Sequence, residues 1–256
     1  MSAAWGRRLV SIGGLLLVWQ GLAASGLIPP QYFPGVPEVL RAAVELLSDP
    51  AFWRDELLSL LRAAAGLVLA VALALGLAIA AARWDWLGSA LSPIVELFRS
   101  MPPAPLVPLA IFALGLGASL HLFIIVFACV WPVYVGATSA LAVSEPVQVQ
   151  SARSIGLTAA QILWRIRLPA ALPEIFSALR LAAGVSLLAG IAAEMLAGRD
   201  GIGAQLYQSA FSLQTPQTFA LLFVAGLNGL LFNQIVTWLR GRAIDWHEQL
   251  SAMAQT

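Results

Sequence analysis

The residue types able to carry chemistry are sparse in this chain and do not converge. His121 and His247 lie far apart in sequence and lack ligand-spaced companions, so no metal centre is expected. Cys129 is the only cysteine and sits inside an apolar run, which leaves no disulfide framework and no CxxC pair. No Walker A sequence occurs, and Gly201-Ile-Gly203 lacks the GxGxxG spacing and strand context of a phosphate cradle. What remains are isolated polar side chains in apolar surroundings: Glu194, Asn228, Asn233 and Gln234. Polar groups inside a bilayer are costly and default to a functional role, so these four are candidates for a translocation path or gate. The alternative is interhelical hydrogen bonding, worth about 0.6 kcal/mol on average. For the asparagines it is the stronger reading.

One polar stretch between apolar segments has informative spacing, and what it offers is mechanical. Ser144 suits an N-cap, Glu145 the positive helix end, and Pro146 a first-turn position. A helix can run to Ile155, with Gly156 supplying a left-handed C′ residue. Thr158-Ala-Ala-Gln161 reads as a capping box opening a second helix, with Arg165 and Arg167 in its last turn and Pro169 as its stop. The expectation is two short helices joined by a glycine elbow within 145–173. Ile162, Leu163 and Ile166 give the second helix an apolar flank that needs a partner surface.

The elements that must position these residues are membrane helices. Of the 256 residues 60% are hydrophobic and 11% charged, against roughly 25% charge in a soluble domain, which excludes an ordinary soluble fold. The net charge of +1, with no basic stripe interleaved with aromatics, gives no reason to expect nucleic acid. A spanning helix needs about 20 mostly apolar residues. Segments 9–27, 63–82, 102–117, 120–142, 175–197 and 216–238 qualify, the third opened or kinked by Pro102, Pro103, Pro105 and Pro108. The first also resembles a signal peptide, but its apolar run is longer than a usual signal core, so a retained span is expected. Residues 37–48 read as a short amphipathic interfacial helix, with Leu40, Ala43, Val44 and Leu47 on one face. With both termini inside, Arg41, Arg54, Arg62 and Arg199 fall outside and the other ten of the 14 basic residues, Arg99 among them, fall inside or at the inner edge, which satisfies the positive-inside rule and places 145–173 in the cytoplasm. Neither linker nor inverted repeat divides residues 1–256, so a single membrane domain is expected.

Ala152, Arg153 and Gly156, then nine residues, then Ile166-x-Leu168-Pro169, resemble the EAA loop of bacterial ABC-importer permeases, with Gln150 and Ser151 where that family has Glu and Ala. Arg99-Ser-Met-Pro-Pro103, Pro108-Leu109, Gly115, Ala193-Glu-Met195 and Gly201-Ile-Gly203 resemble its nitrate/sulfonate/taurine branch, and the likeness covers roughly 50–245. The resemblance implies an all-α integral membrane protein of about six transmembrane helices, a type I ABC importer permease in the bacterial inner membrane. It implies that Ala152, Arg153, Gly156, Ile166, Leu168 and Pro169 couple to two separate ATPase subunits, which bind the ATP and Mg while this chain holds no cofactor. It also implies a second permease copy, a periplasmic or lipoprotein solute-binding protein that Glu194 could contact, and a small, often anionic solute. Two other classes stay open on the residues alone. A multipass lipid-modifying enzyme would need a cluster of His, Asp or Glu, and an ATP-independent carrier would need paired broken helices.

Overall fold

The computed structural model describes residues 2–142 and 146–253, and all regular structure among them is helical. In chain order the helices are α1 (Ser2–Ala24), α2 (Val36–Ser48), α3 (Pro50–Arg83), α4 (Asp85–Ser100), α5 (Leu106–Leu114) and α6 (Ala118–Ala142). Then come α7 (Pro146–Ser154), α8 (Ala159–Ile162), a π-helical turn (Leu163–Arg167), α9 (Leu168–Ala197), α10 (Ile202–Phe211) and α11 (Thr215–Met253).

The centre is a three-helix packing of α3, α6 and α9 built on small residues. Ala63, Ala70, Ala74 and Ala78 recur at helical spacing on α3 and meet Ala137 of α6 and Ala182 and Ala183 of α9 in one buried cluster. Lipid offers no hydrophobic drive for helix association, so close backbone approach and van der Waals contact hold such a core together. A second cluster joins Val39 and Leu46 of α2 to Phe52, Ile202, Leu206 and Leu221. The protein-facing side of α2 is therefore Val39 and Leu46, while Leu40, Val44 and Leu47 face outward. Local chemistry sets the ends of this corner: the Glu38 carboxylate accepts the Gly35 N–H at 3.1 Å, and Asp49 caps α3 by accepting the Ala51 N–H at 2.9 Å.

Shared cavities give the helix directions. Arg62, in the first half of α3, lines one cavity with Gly117, His121, Ala197 and Asp200. Ala78 and Ala82, near the end of α3, line another with Leu141, Ala142 and Arg167. Helices α3 and α6 therefore run parallel and α9 runs against them, so residues 84–117 must cross back between the two ends. They do so as a broken helix, α4 then α5. The 102–117 segment thus differs from expectation: its helix is Leu106–Leu114 alone, because Pro102, Pro103 and Pro105 supply no N–H and clash with a preceding turn. Helix α4 is not among the apolar spans because Asp85, Glu96 and Arg99 lower its hydropathy.

Among the described residues four helical segments are long and apolar enough to cross a bilayer, Pro50–Arg83, Ala118–Ala142, Ala159–Ala197 and Thr215–Ile244, with a shorter apolar run at Val10–Ala24. Helix α1 ends three residues before the expected 27. Its Trp19 stacks on Phe223 at 5.6 Å and meets Phe219 at 5.4 Å, which sets the end of α1 beside the start of α11. A further correction concerns Pro169, which does not stop the loop helix. The chain stays helical from Ala159 to Ala197 because a π turn precedes the proline: the Leu168 N–H donates five residues back to the Leu163 carbonyl, and Pro169, with no N–H, has none to place. Arg165 and Arg167 consequently sit inside a continuous helix, not in a last turn.

Candidate functional site

The loop between α6 and α9 is built around its elbow. Gly156 has φ 83°; the Leu157 N–H donates to the Ala152 carbonyl and the Gly156 N–H to the Arg153 carbonyl, both at 3.0 Å. Those two bonds make a Schellman motif with Gly156 at C′. Ala152 is the residue whose carbonyl closes the wider ring. Its methyl packs with Val149 and Ile162, and Leu157 and Ile166 lie against them. The capping box forms as expected: the Gln161 N–H donates to Thr158 Oγ1 at 3.3 Å and the Thr158 N–H to Gln161 Oε1 at 2.8 Å. Ser144 and Glu145 lie outside the described residues.

Much of the expected apolar flank is used internally. Ile162 closes the small loop core and Leu163 joins the central cluster. Ile166, Leu168 and Pro169 are half-buried. What the loop leaves open is a face with Arg153 exposed, Ile155 78% exposed and Trp164 58% exposed. Thr158→Ala removes one cap, and a loss of about 1 kcal/mol is expected, read as faster amide exchange across 157–163 with the bundle unchanged; unchanged exchange would deny the cap its role.

At the opposite end, Glu194 is 1% exposed and anchors a polar latch. Its carboxylate accepts from Ser59 Oγ at 2.7 Å, from the Gly203 N–H at 3.1 Å and from Arg62 Nη1 at 3.0 Å. Arg62 Nη2 donates to Asp200 Oδ1 at 2.7 Å, and Ser59 Oγ accepts the Ile202 N–H at 2.9 Å. The latch ties α3, α9 and α10 together, and the Glu194 carboxylate points into it. Gly201-Ile-Gly203 is explained by this packing: a Cβ at Gly201, whose φ is 95°, would lie 2.5 Å from the carboxylate, and one at Gly203 2.3 Å from the Ile191 carbonyl. Sequence reasoning missed Ser59, Arg62 and Asp200. The available signal was a charged and a polar residue one turn apart at the head of an apolar run. His121, 2% exposed, stands nearby with its Nδ1 on the Gly117 carbonyl at 2.8 Å.

The polar residues of α11 are not brought together with Glu194. Asn228 Nδ2 donates to Glu56 Oε2 at 3.2 Å, a buried bond between α11 and α3. Asn233 Oδ1 accepts from Arg180 Nε of α9. Gln234 is exposed. Two larger concavities lie elsewhere: one of about 810 Å³ between α4, α6 and α9 that includes Arg99, Ser100, Pro132, Ser139, Glu174 and Ser177, and one of about 470 Å³ between α3, α4 and α6, nearer the loop. Arg99 and Val135 line both. None of the four candidate polar residues lines either one.

A family model described as "Binding-protein-dependent transport system inner membrane component" matches residues 62–243. The taurine transport system permease protein TauC of Escherichia coli (strain K12) is 30% identical over 241 residues, covering 92% of this chain and 88% of that protein. The nitrate import permease protein NrtB of Synechocystis sp. is 30% identical over 247 residues, covering 93% of this chain and 89% of that protein. Among solved structures, a chain of a bacterial ABC transporter involved in the import of the acidic polysaccharide alginate superposes with a TM-score of 0.66 at 16% identity, covering 94% of this chain and 92% of that one.

Proposed function

This chain belongs to the family of binding-protein-dependent transport inner-membrane components, the permease subunits of ATP-binding-cassette importers, and on that premise we propose that it carries a small anionic solute, is driven by two separate ATPase subunits docked at the 145–173 loop, and works as a homodimer. The relatives named for taurine and nitrate support a solute that presents an oxyanionic group, since taurine carries a sulfonate and nitrate is itself an oxyanion. In this reading the loop and both termini are cytoplasmic, the Glu194 latch faces the side from which a binding protein delivers solute, and ATP and Mg are held by the partner ATPase. This chain contributes no catalytic residue to ATP hydrolysis.

The observation that carries the coupling is the continuity of the loop with α9. From Ala159 to Ala197 the backbone is one helical rod, roughly 58 Å long at 1.5 Å per residue. One end carries the glycine elbow and the other carries Glu194. A displacement of the exposed Arg153–Ile155–Gly156 face is passed to α8 through the small core of Ala152, Val149 and Ile162. From there it travels along α9 to the latch. ATP-driven closure of two docked ATPases thus acts on a lever whose far end opens or shuts the delivery side.

Purifying the tagged chain gently from its native membrane tests this reading. A stoichiometric ATPase with Walker motifs should accompany it. Gly156→Pro and Arg153→Glu should lose both that partner and solute uptake, by tenfold or more on the order expected for a broken coupling, while still reaching the membrane. Normal uptake and normal ATPase assembly in both variants would overturn the coupling assignment, and uptake that survives ATP depletion would favour a carrier.

A further inference from the structure

Arg99 closes α4 just before the break at 101–105. The preceding residue fixes its position: Phe98 stacks on Trp131 at 5.3 Å and meets Phe127 edge-on at 5.7 Å. Arg99 shares its cavity with Pro132, which lies near the middle of the spanning helix α6, so Arg99 sits deeper than the inner edge where the arginine distribution puts it. The side chain is exposed, and among the described residues it makes no hydrogen bond or ion pair. A guanidinium at this depth cannot face lipid; it faces water, a partner or a ligand. The wall beside it is polar, with Ser100 next in sequence, Ser139 on α6 and Ser177 on α9.

We propose that Arg99 is the oxyanion-coordinating side chain of the translocation path, presented at mid-bilayer by the break between α4 and α5 and facing the serine-lined groove between α4, α6 and α9. The assignment rests on the importer reading and names the site within it. Guanidinium presents a planar fork of donors that matches two oxygens of a nitrate, carboxylate or sulfonate group. A lone ammonium lacks that geometry. Ser139 can donate to a remaining oxygen, and the hydroxyls of Ser100 and Ser177, which donate to the Leu97 and Pro173 carbonyls in this structure, can rotate to do the same. Glu174, on the α9 wall of the same cavity, limits the hold: a path must bind its solute firmly enough to admit it and weakly enough to release it.

The first test needs no knowledge of the natural solute. In the assembled importer in membrane vesicles, with Cys129→Ala removing the one native thiol, Ser177→Cys provides a reporter in the groove. Its modification rates by an anionic and a cationic methanethiosulfonate are compared with Arg99 present and with Arg99→Gln. Arg99 should favour the anionic reagent, and Arg99→Gln should lower the anionic-to-cationic rate ratio by about tenfold. In parallel, ATP-driven uptake of labelled taurine and nitrate should fall about 10- to 100-fold in Arg99→Gln and recover in part in Arg99→Lys, with ATP hydrolysis stimulated by the binding protein within about twofold of the parent. A reporter that neither reagent reaches, or a rate ratio and uptake untouched by Arg99→Gln, overturns the proposal. ATP-driven uptake by the unmodified importer tests the importer reading separately, and that reading stands even if Arg99→Gln transports normally.

Discussion

Arg62→Leu is expected to destabilise the protein by about 3 kcal/mol or more, because it leaves the Glu194 carboxylate buried without its counter-charge. Arg62 side-chain exposure is 11% and that of Glu194 is 1%, so any water entering from the cavity beside Arg62 replaces a charge with a neutral donor. The cost falls short of the extreme because Ser59 and the Gly203 N–H still donate to the carboxylate. The companion variant separates charge from shape. Arg62→Leu combined with Glu194→Gln removes the uncompensated charge, while the amide oxygen still accepts from Gly203. That pair should recover at least half of the lost stability, about 1.5 kcal/mol or more. Thermal unfolding of the detergent-solubilised chain, followed by helix content, measures both. A double variant no more stable than Arg62→Leu alone would show that the latch holds by packing and not by charge.

The latch also shows why part of this molecule was legible and part was not. Features governed by adjacent residues read directly from the sequence: the Gly156 elbow, the Thr158–Gln161 box and helix α2 all depend on a few neighbouring side chains and on backbone conformations that only certain residues adopt. Glu194 stood out as a charge in an apolar run, but Ser59 and Arg62 are 135 and 132 residues away. No spacing rule connects them. Gly201 and Gly203 look like an ordinary turn until the carboxylate beneath them is seen.

Pro169 misled for the opposite reason. The local rule that a proline ends a helix is sound for an i→i−4 ladder, but a π turn shifts the ladder by one residue and leaves the proline nothing to break. Helix α4 was hidden because hydropathy seeks unbroken apolar runs. Its Asp85, Glu96 and Arg99 line the cavity that α4 forms with α3 and α6, so the charges that obscured the helix are set along that cavity. The parallel course of α3 and α6 requires a crossing between them, and α4 supplies the half of it that the expected 102–117 span leaves out.

Gly66→Ala should be destabilising even though alanine is the better helix former by about 1 kcal/mol. A Cβ at Gly66 would lie 2.4 Å from Cγ2 and 2.7 Å from Cβ of Ile125. Ile125 is β-branched, so both contacts sit at the root of the side chain and a rotamer change cannot clear them. On its other side Ile125 Cδ1 lies 3.3 Å from where a Cβ of Gly190 would be. Ile125 of α6 is thus wedged between glycines of α3 and α9. Any atom added at Gly66 must push α3 away, at an expected net loss of about 1–3 kcal/mol. Gly76, on the same helix with nothing within 4 Å of its Cβ position, is the internal control: Gly76→Ala should be neutral or stabilising by up to about 1 kcal/mol. Ile125→Ala removes the tighter of the two contacts, so in combination with Gly66→Ala it should cost less than the sum of the single changes by about 1 kcal/mol. If Gly66→Ala proves as stable as Gly76→Ala, the α3–α6 contact is looser than its small residues imply. Since α6 forms one wall of the groove beside Arg99, displacing α3 from α6 is also expected to slow uptake, through a residue that touches neither solute nor ATPase.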